Sequence, residues 1–214
     1  MMIPWPWWKK GGRPVGVGSS LARLAVVSAV ASALAASGPA HGQPVVYKIE
    51  PGSTIIEFEV DVLDMAPTSG AFQTFSGQLD LDLEAPQNSL VDVDVDAGSA
   101  EMGWEPADST IRSADFLDVA HYHDVKFITT AVHVDDNRHV TISGDLTLRG
   151  VTKPMELKAV LEDEHYDTEH SREEAEFSVT GHLSRADFGM SSQSGLIGDE
   201  VRLHITSRLV LNSG

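Results

Sequence analysis

From Thr54 to the C-terminus the dominant hydrophobic period is two, and that alternation leaves little choice of fold class. A strand turns successive side chains to opposite faces, so period-two patterning marks a strand with one face buried. Ile56, Phe58, Val60 and Val62 share one face of the first run, with Glu57, Glu59 and Asp61 on the other. Leu79, Leu81 and Leu83 oppose Gln78, Asp80 and Asp82, and Val91, Val93 and Val95 oppose Asp92, Asp94 and Asp96. Phe127 to Val134 is a mixed run. Further lines are Val140, Ile142, Leu146, Leu148, then Met155, Leu157, Ala159, Leu161, and then Phe177, Val179, Leu183. The last is Val201, Leu203, Ile205, Leu209, Leu211. This predicts eight strands, joined by turn chemistry at Ala85-Pro86-Gln87-Asn88, Asp135-Asp136-Asn137 and Arg149 to Pro154. Asp163 to Glu174 reads as a long acidic loop, and the one plausible helix lies around Ser109 to Phe116 in a long connection. Sequential antiparallel strands with one apolar face must hide that face in a sandwich or by closure. The expected fold is all-β, and eight strands close into a barrel either filled by side chains or hollow enough for one small ligand. Period alone leaves that choice open.

Residues 1–42 have another character. They hold Lys9, Lys10, Arg13 and Arg23 with no acid, the small apolar run Leu24 to Ala36, and an Ala40-His41-Gly42 ending. A basic head, a short apolar middle and small residues before a cleavage point predict a secretory signal peptide. The run is short of the roughly 20 residues of a membrane span. The expected domain is therefore 43–214, delivered to the periplasm by the general secretory route, with no membrane span after signal removal.

The whole chain carries 32 acidic and 15 basic residues, a net charge of −17. Without residues 1–42 the balance is 11 basic against 32 acidic, or −21. Such a surface repels phosphate backbones, which excludes nucleic acid as a partner. Zero cysteine excludes disulfides, thiolate metal sites, a cysteine nucleophile and an acylated lipoprotein cysteine. The Asp92, Asp94, Asp96 series lacks the glycine and glutamate of a calcium loop and reads as a solvated strand face. His121, His123, His165 and His170 have no HExxH context, so no metal centre is expected. There is no G-x-S-x-G elbow, phosphate loop or dinucleotide fingerprint, so neither an enzyme nor a cofactor site is expected.

The remaining segments carry a resemblance. Arg112-Ser113-Ala114-Asp115-Phe116-Leu117-Asp118-Val119, running on to Tyr122 and Phe127, resembles the LRSxDFFdvxxYPxxxF stretch of the YceI-like proteins. Gly144 to Pro154 resembles their GxLTixGvTkPv hairpin. Tyr47 with Ile49, Ser53 and Phe58, the Gly70-x-Phe72-x-x-Phe75-x-Gly77 stretch, and Arg185-x-Asp187-Phe188-Gly189 leading to Val201 agree in order and spacing. The resemblance departs where Gly52 and the Asp61–Val62 region replace family histidines, where the DxHLRS stretch reads Asp108-Ser109-Thr110-Ile111-Arg112-Ser113 and lacks its histidine, and where His123 follows Tyr122. It implies a lipocalin-like barrel in the periplasm, binding a long polyisoprenoid or similar amphipathic lipid inside.

On that reading Phe58, Val60, Phe72, Phe75, Leu81, Phe127, Leu146, Leu148, Leu157 and Phe177 have the parity to line an apolar tunnel, ordinary core packing being the alternative for each. Arg112, Lys153 and Arg185 are candidates for a polar lipid head at the mouth, against a purely structural pairing of Arg112 with Asp115 or Arg185 with Asp187. Phe116 and Phe188 read as plugs pinning loops to the barrel end, and the Trp104 and Ser191–Gly198 loops as a movable lid. The expected ligand is an isoprenoid or quinone-like lipid, with a homodimer possible. The rival readings are a quinone-linked redox or enzymatic protein and a filled barrel with a structural or interaction role.

Overall fold

This computed structural model describes residues 44–82, 85–167 and 172–211, and the side chains of all these except 165–167, 172–173 and 211. The proposed signal segment, Leu83 and the His165 and His170 side chains fall outside it. Its strands are β1 (Val45–Ile49), β2 (Thr54–Val62), β3 (Thr68–Phe72), β4 (Phe75–Leu81), β5 (Leu90–Asp96), β6 (Ala100–Glu101), β7 (Asp124–Val134), β8 (His139–Leu148), β9 (Val151–Asp167), β10 (Arg172–Ser184) and β11 (Ile197–Leu211). Among the described residues a single α-helix, α1 (Glu105–Arg112), lies between β6 and β7. All strands join one antiparallel sheet in the order β1-β4-β5-β7-β8-β9-β10-β11-β2-β3-β6.

Eight of these strands occupy the alternating runs, and β1, β3 and β6 are additional, so the expected count of eight is corrected to eleven. The extra strands are short, and β3 reads Thr-Ser-Gly-Ala-Phe, which has no alternation to detect. The acidic stretch from Asp163 is likewise corrected. It continues β9 and β10 as a ladder pairing Asp163 with Glu176 and Arg172 with Asp167. A register shift between Glu176 and Phe177 marks the change. Beyond it Glu162, Asp163 and Glu164 are exposed while Ala175, paired with Glu164 and Leu209, is buried, so the ladder continues with a reduced apolar face.

The sheet curls until its two ends face each other. β1 and β6 are the ladder edges, and where β3 runs on into β4 and β5 into β6 the Gln73 N–H donates to the Ser99 carbonyl and the Asp96 N–H to the Thr74 carbonyl, with side chains packed beneath this seam. Ile56 from β2 packs against Phe75 and Val95 from β4 and β5, with Ile49 and Ile205 beside them. A larger cluster joins Phe58, Phe127, Leu146, Leu148, Met155 and Leu157 to Leu117, Phe188 and Met190 from the connections. Those connections plug the barrel end that also carries α1.

The β8–β9 hairpin shows how local chemistry sets this geometry. Leu148 pairs with Val151, leaving a two-residue turn of Arg149 (φ 50°) and Gly150 (φ 69°). Positive φ at both positions matches the right-handed twist of the flanking strands. A Cβ on Gly150 would lie 2.9 Å from the Tyr122 ring, so glycine also admits the neighbouring connection. Arg149 holds the strained turn by donating to the carbonyls of Ala114 and Phe116. The helix sits four residues earlier than expected. Pro106 in its first turn needs no N–H partner, and Glu105 and Asp108 near its start with Arg112 at its end suit the helix dipole.

Candidate functional site: an apolar cavity through the barrel

The inner faces of the strands do not meet across the barrel. They enclose a cavity of about 570 Å³, within the 300–1,000 Å³ usual for small-molecule sites. Its wall is almost wholly aliphatic and aromatic, and Arg185 is its only charged residue among the described residues. The choice between a filled and a hollow barrel falls to the hollow one.

Of the side chains assigned to a tunnel by parity, Phe58, Val60, Phe72, Leu81, Phe127, Leu146, Leu148, Leu157 and Phe177 border this space. Phe75 does not. It is buried in the seam cluster with Ile56 and Val95, because β4 meets β2 there. The Phe58 and Phe72 rings pack at 5.3 Å between centroids, tilted by 49°, a favourable edge-to-face-like pairing. Gly70 and Gly144 make room for Phe58 and Phe127, since a Cβ at either would lie within 2.4 Å of those rings. The tunnel set omitted other wall residues, among them Ile142, Val179 and Leu203 from the alternating lines and Met190 from a connection.

The three cations separate. Arg112 lies off the wall, and its Nε donates to the Ala100 carbonyl at 2.9 Å. Lys153 is also off the wall. Arg185 borders the cavity but is 3% exposed, and it donates to the carbonyls of Gly198 (2.8 Å), Met190 (2.5 Å), Ser192 (2.8 Å) and Ile197 (2.9 Å). Neither arginine makes the aspartate pairing considered from sequence; Asp115 instead accepts from Ser192 Oγ at 3.0 Å. The Ser191–Gly198 segment, expected as a lid, is thus laced onto Arg185. Asp199 adds to this knot. Its carboxyl is held below the usual range by the Ser184 hydroxyl first and then by the Ala186 N–H. Phe116 and Phe188 are buried at the barrel end, whereas Trp104 borders the cavity and is 63% exposed.

The outer face has its own chemistry. Arg202 Nη2 lies 2.7 Å from both Glu59 and Asp61, and this hydrogen bonding lowers the Asp61 pKa. Lys126 bridges to Asp94 at 3.0 Å, with Asp92 3.9 Å away, so the aspartate series is a solvated strand face. His121 pairs with Asp118 at 2.9 Å, and no group of three metal-ligating side chains gathers among the described residues. No described helix is long and apolar enough to cross a membrane.

A model of the YceI-like domain matches residues 47–209, from the first strand to the last. The chain belongs to the YceI-like family. UPF0312 proteins of the same kind include one from Pseudomonas putida, 34% identical over 164 residues that span 76% of this chain and 84% of that protein. Another, from Pseudomonas savastanoi pv. phaseolicola, is 34% identical over 171 residues, 80% of this chain and 86% of its own. Solved structures share the fold at lower identity. BcnA of Burkholderia cenocepacia superposes with a TM-score of 0.65 at 17% identity, over 73% of this chain and 96% of that one. The Campylobacter jejuni YceI protein gives 0.62 at 23%, over 72% and 90%. A polyisoprenoid binding domain from Saccharophagus degradans gives 0.54 at 13%, over 79% and 99%.

Proposed function

We propose that this protein holds a polyisoprenoid or similar long-chain amphipathic lipid inside its barrel, as a periplasmic carrier or store rather than an enzyme. The observation that carries this is the cavity itself: a continuous space of about 570 Å³ with an almost uninterrupted apolar wall. Such a wall stabilises an apolar chain by roughly 25 cal/mol per Å² of surface withdrawn from water and does little for a polar metabolite. The polyisoprenoid binding domain that shares the fold supports the ligand class. The basic, apolar and small-residue pattern of residues 1–42 supports export. No carboxylate, imidazole or amine borders the cavity among the described residues, which favours binding over redox or acid–base work on a bound quinone. The test is organic extraction of protein purified from periplasm, followed by mass spectrometry. A stoichiometric long-chain lipid is expected. An empty extract from folded protein that also takes up no added isoprenoid or quinone would refute the reading.

A further inference from the structure

One pair of polar side chains on the cavity wall is incompletely used. Thr54 opens β2 and Ser207 lies late in β11, 153 residues away, and the β2–β11 ladder sets them directly opposite each other. Both border the cavity, and their hydroxyl oxygens are 2.9 Å apart. Thr54 is 4% exposed. Two hydroxyls carry two protons, and the bond between them consumes one. Among the described residues no third group accepts the other. Ser207 is half-buried and Thr54 buried, so whenever Thr54 holds the spare proton it is a buried donor facing an apolar space, costly to leave unpaired.

Of the other polar groups on this wall, Thr68 is only half-buried and the Trp104 indole is exposed, so water can serve both, and the rest are hydrogen-bonded. Thr110 donates to the Pro106 carbonyl, Ser89 Oγ accepts from the Asp82 N–H, and Arg185 serves four carbonyls. The committed arginine and the spare hydroxyl also lie at opposite ends. Arg185 is tied to residues 198 and 199 at the start of β11, in the end plugged with α1, and Ser207 lies eight residues farther along the strand. The regular ladder between them, from Val201 to Ser207, spans roughly 20 Å along the strand at about 3.3 Å per residue.

We infer that the Thr54–Ser207 hydroxyl pair is a hydrogen-bonding anchor for an oxygen-bearing end of the bound lipid. The ligand therefore lies with that end away from α1 and its hydrocarbon tail toward the Leu117–Phe188–Met190 plug. This rests on the lipid-binding reading and adds both an orientation and a ligand class: a largely apolar molecule bearing a carbonyl, ether or hydroxyl oxygen. A carbonyl accepts the spare proton directly, and a ligand hydroxyl can accept it while donating back to the pair.

The test uses two probes of matched length, farnesylacetone and the corresponding hydrocarbon without its carbonyl, titrated into delipidated protein and followed by Trp104 fluorescence and calorimetry. The T54V/S207A double variant should weaken farnesylacetone about tenfold, the worth of one buried hydrogen bond, and leave the hydrocarbon unchanged. The exchanged pair T54S/S207T keeps both hydroxyls and should keep wild-type affinity. T54A/S207A provides a second hydroxyl-free variant should the first unfold, and it should likewise weaken only the ketone. Equal effects on both probes, or none on either, would overturn the anchor while leaving lipid binding intact. A wild-type protein that binds neither probe would remove the lipid-binding reading and the anchor with it.

Discussion

Replacing Ile142 by tryptophan separates a hollow barrel from a filled one. Ile142 sits mid-strand in β8, pairs with Val132 and Leu157, and with both of them borders the cavity. In a filled core so large an insertion forces side chains off their rotamers and costs about 1–3 kcal/mol. At roughly 2–4 °C of melting temperature per kcal/mol for a domain of this size, a filled core predicts a fall of about 2–12 °C. In a cavity of about 570 Å³ the indole has somewhere to go. Each additional 40 Å² or so of apolar surface withdrawn from water contributes about 1 kcal/mol, so the delipidated variant should melt at or slightly above the wild-type temperature. The same ring occupies the path of a ligand chain, and lipid recovered on extraction should drop to a small fraction of wild type. Delipidated proteins must be compared, because bound lipid raises the wild-type melting temperature by mass action. A melting temperature lowered by more than about 5 °C, or a full complement of lipid in the folded variant, would refute the reasoning.

Three further outcomes follow from the geometry. Arg185→Met strips the donors from four carbonyls and should cost about 2–4 kcal/mol, with the Ser191–Gly198 segment becoming the first site of limited proteolysis; protection as in wild type would show that this knot is not what orders the segment. Trp104 borders the cavity yet is 63% exposed, so in protein lacking residues 1–42 its emission should shift to the blue as an isoprenoid enters; an unchanged spectrum at saturation, checked by calorimetry, would place the ligand elsewhere. Asp199 has a lowered pKa, so its contribution is complete above the ordinary carboxylate value of about 3.9 and is lost as pH falls through the lowered folded value. Asp199→Asn should therefore melt below wild type at pH 6 and converge with it toward pH 2, and a constant gap across that range would contradict the assignment.

Much of the fold is legible because strand parity is a local property. Every long strand except β7, whose run from Phe127 to Val134 is mixed, follows an alternating run, and nine of the ten tunnel residues chosen by parity reach the cavity. Phe75 fails for a reason that parity cannot contain, since its inward face meets Ile56 across the seam instead of open space. β3 and β6 are held by neighbours rather than by their own pattern, and Gly70 matters because the Phe58 ring lies over it. The arginines mislead for another reason. In a chain so rich in acid a carboxylate partner looks natural, but the acceptors of Arg112, Arg149 and Arg185 are backbone carbonyls, which every residue carries and no sequence motif announces. The Thr54–Ser207 pair likewise exists only through the register of β2 on β11.

The acidity and the cavity are separable features of the same sheet. Alternation sends Glu57, Glu59, Asp61, Asp92 and Asp94 outward, while Phe58, Val60, Val91 and Val93 between them turn to the wall. The arginines divide along the same line. Arg202 and Arg208 sit among carboxylates on the outer face, whereas Arg112, Arg138, Arg149 and Arg185 stitch connections through carbonyls. A guanidinium bound to carbonyls keeps its partners at any pH the protein meets, because neither member titrates. Salt therefore acts on the outer ladder through Debye screening, while Arg202 keeps Asp61 ionised below the ordinary carboxylate range and the carbonyl-bound guanidinium groups keep their partners. A barrel built this way can change its surface charge with its surroundings without changing what it holds.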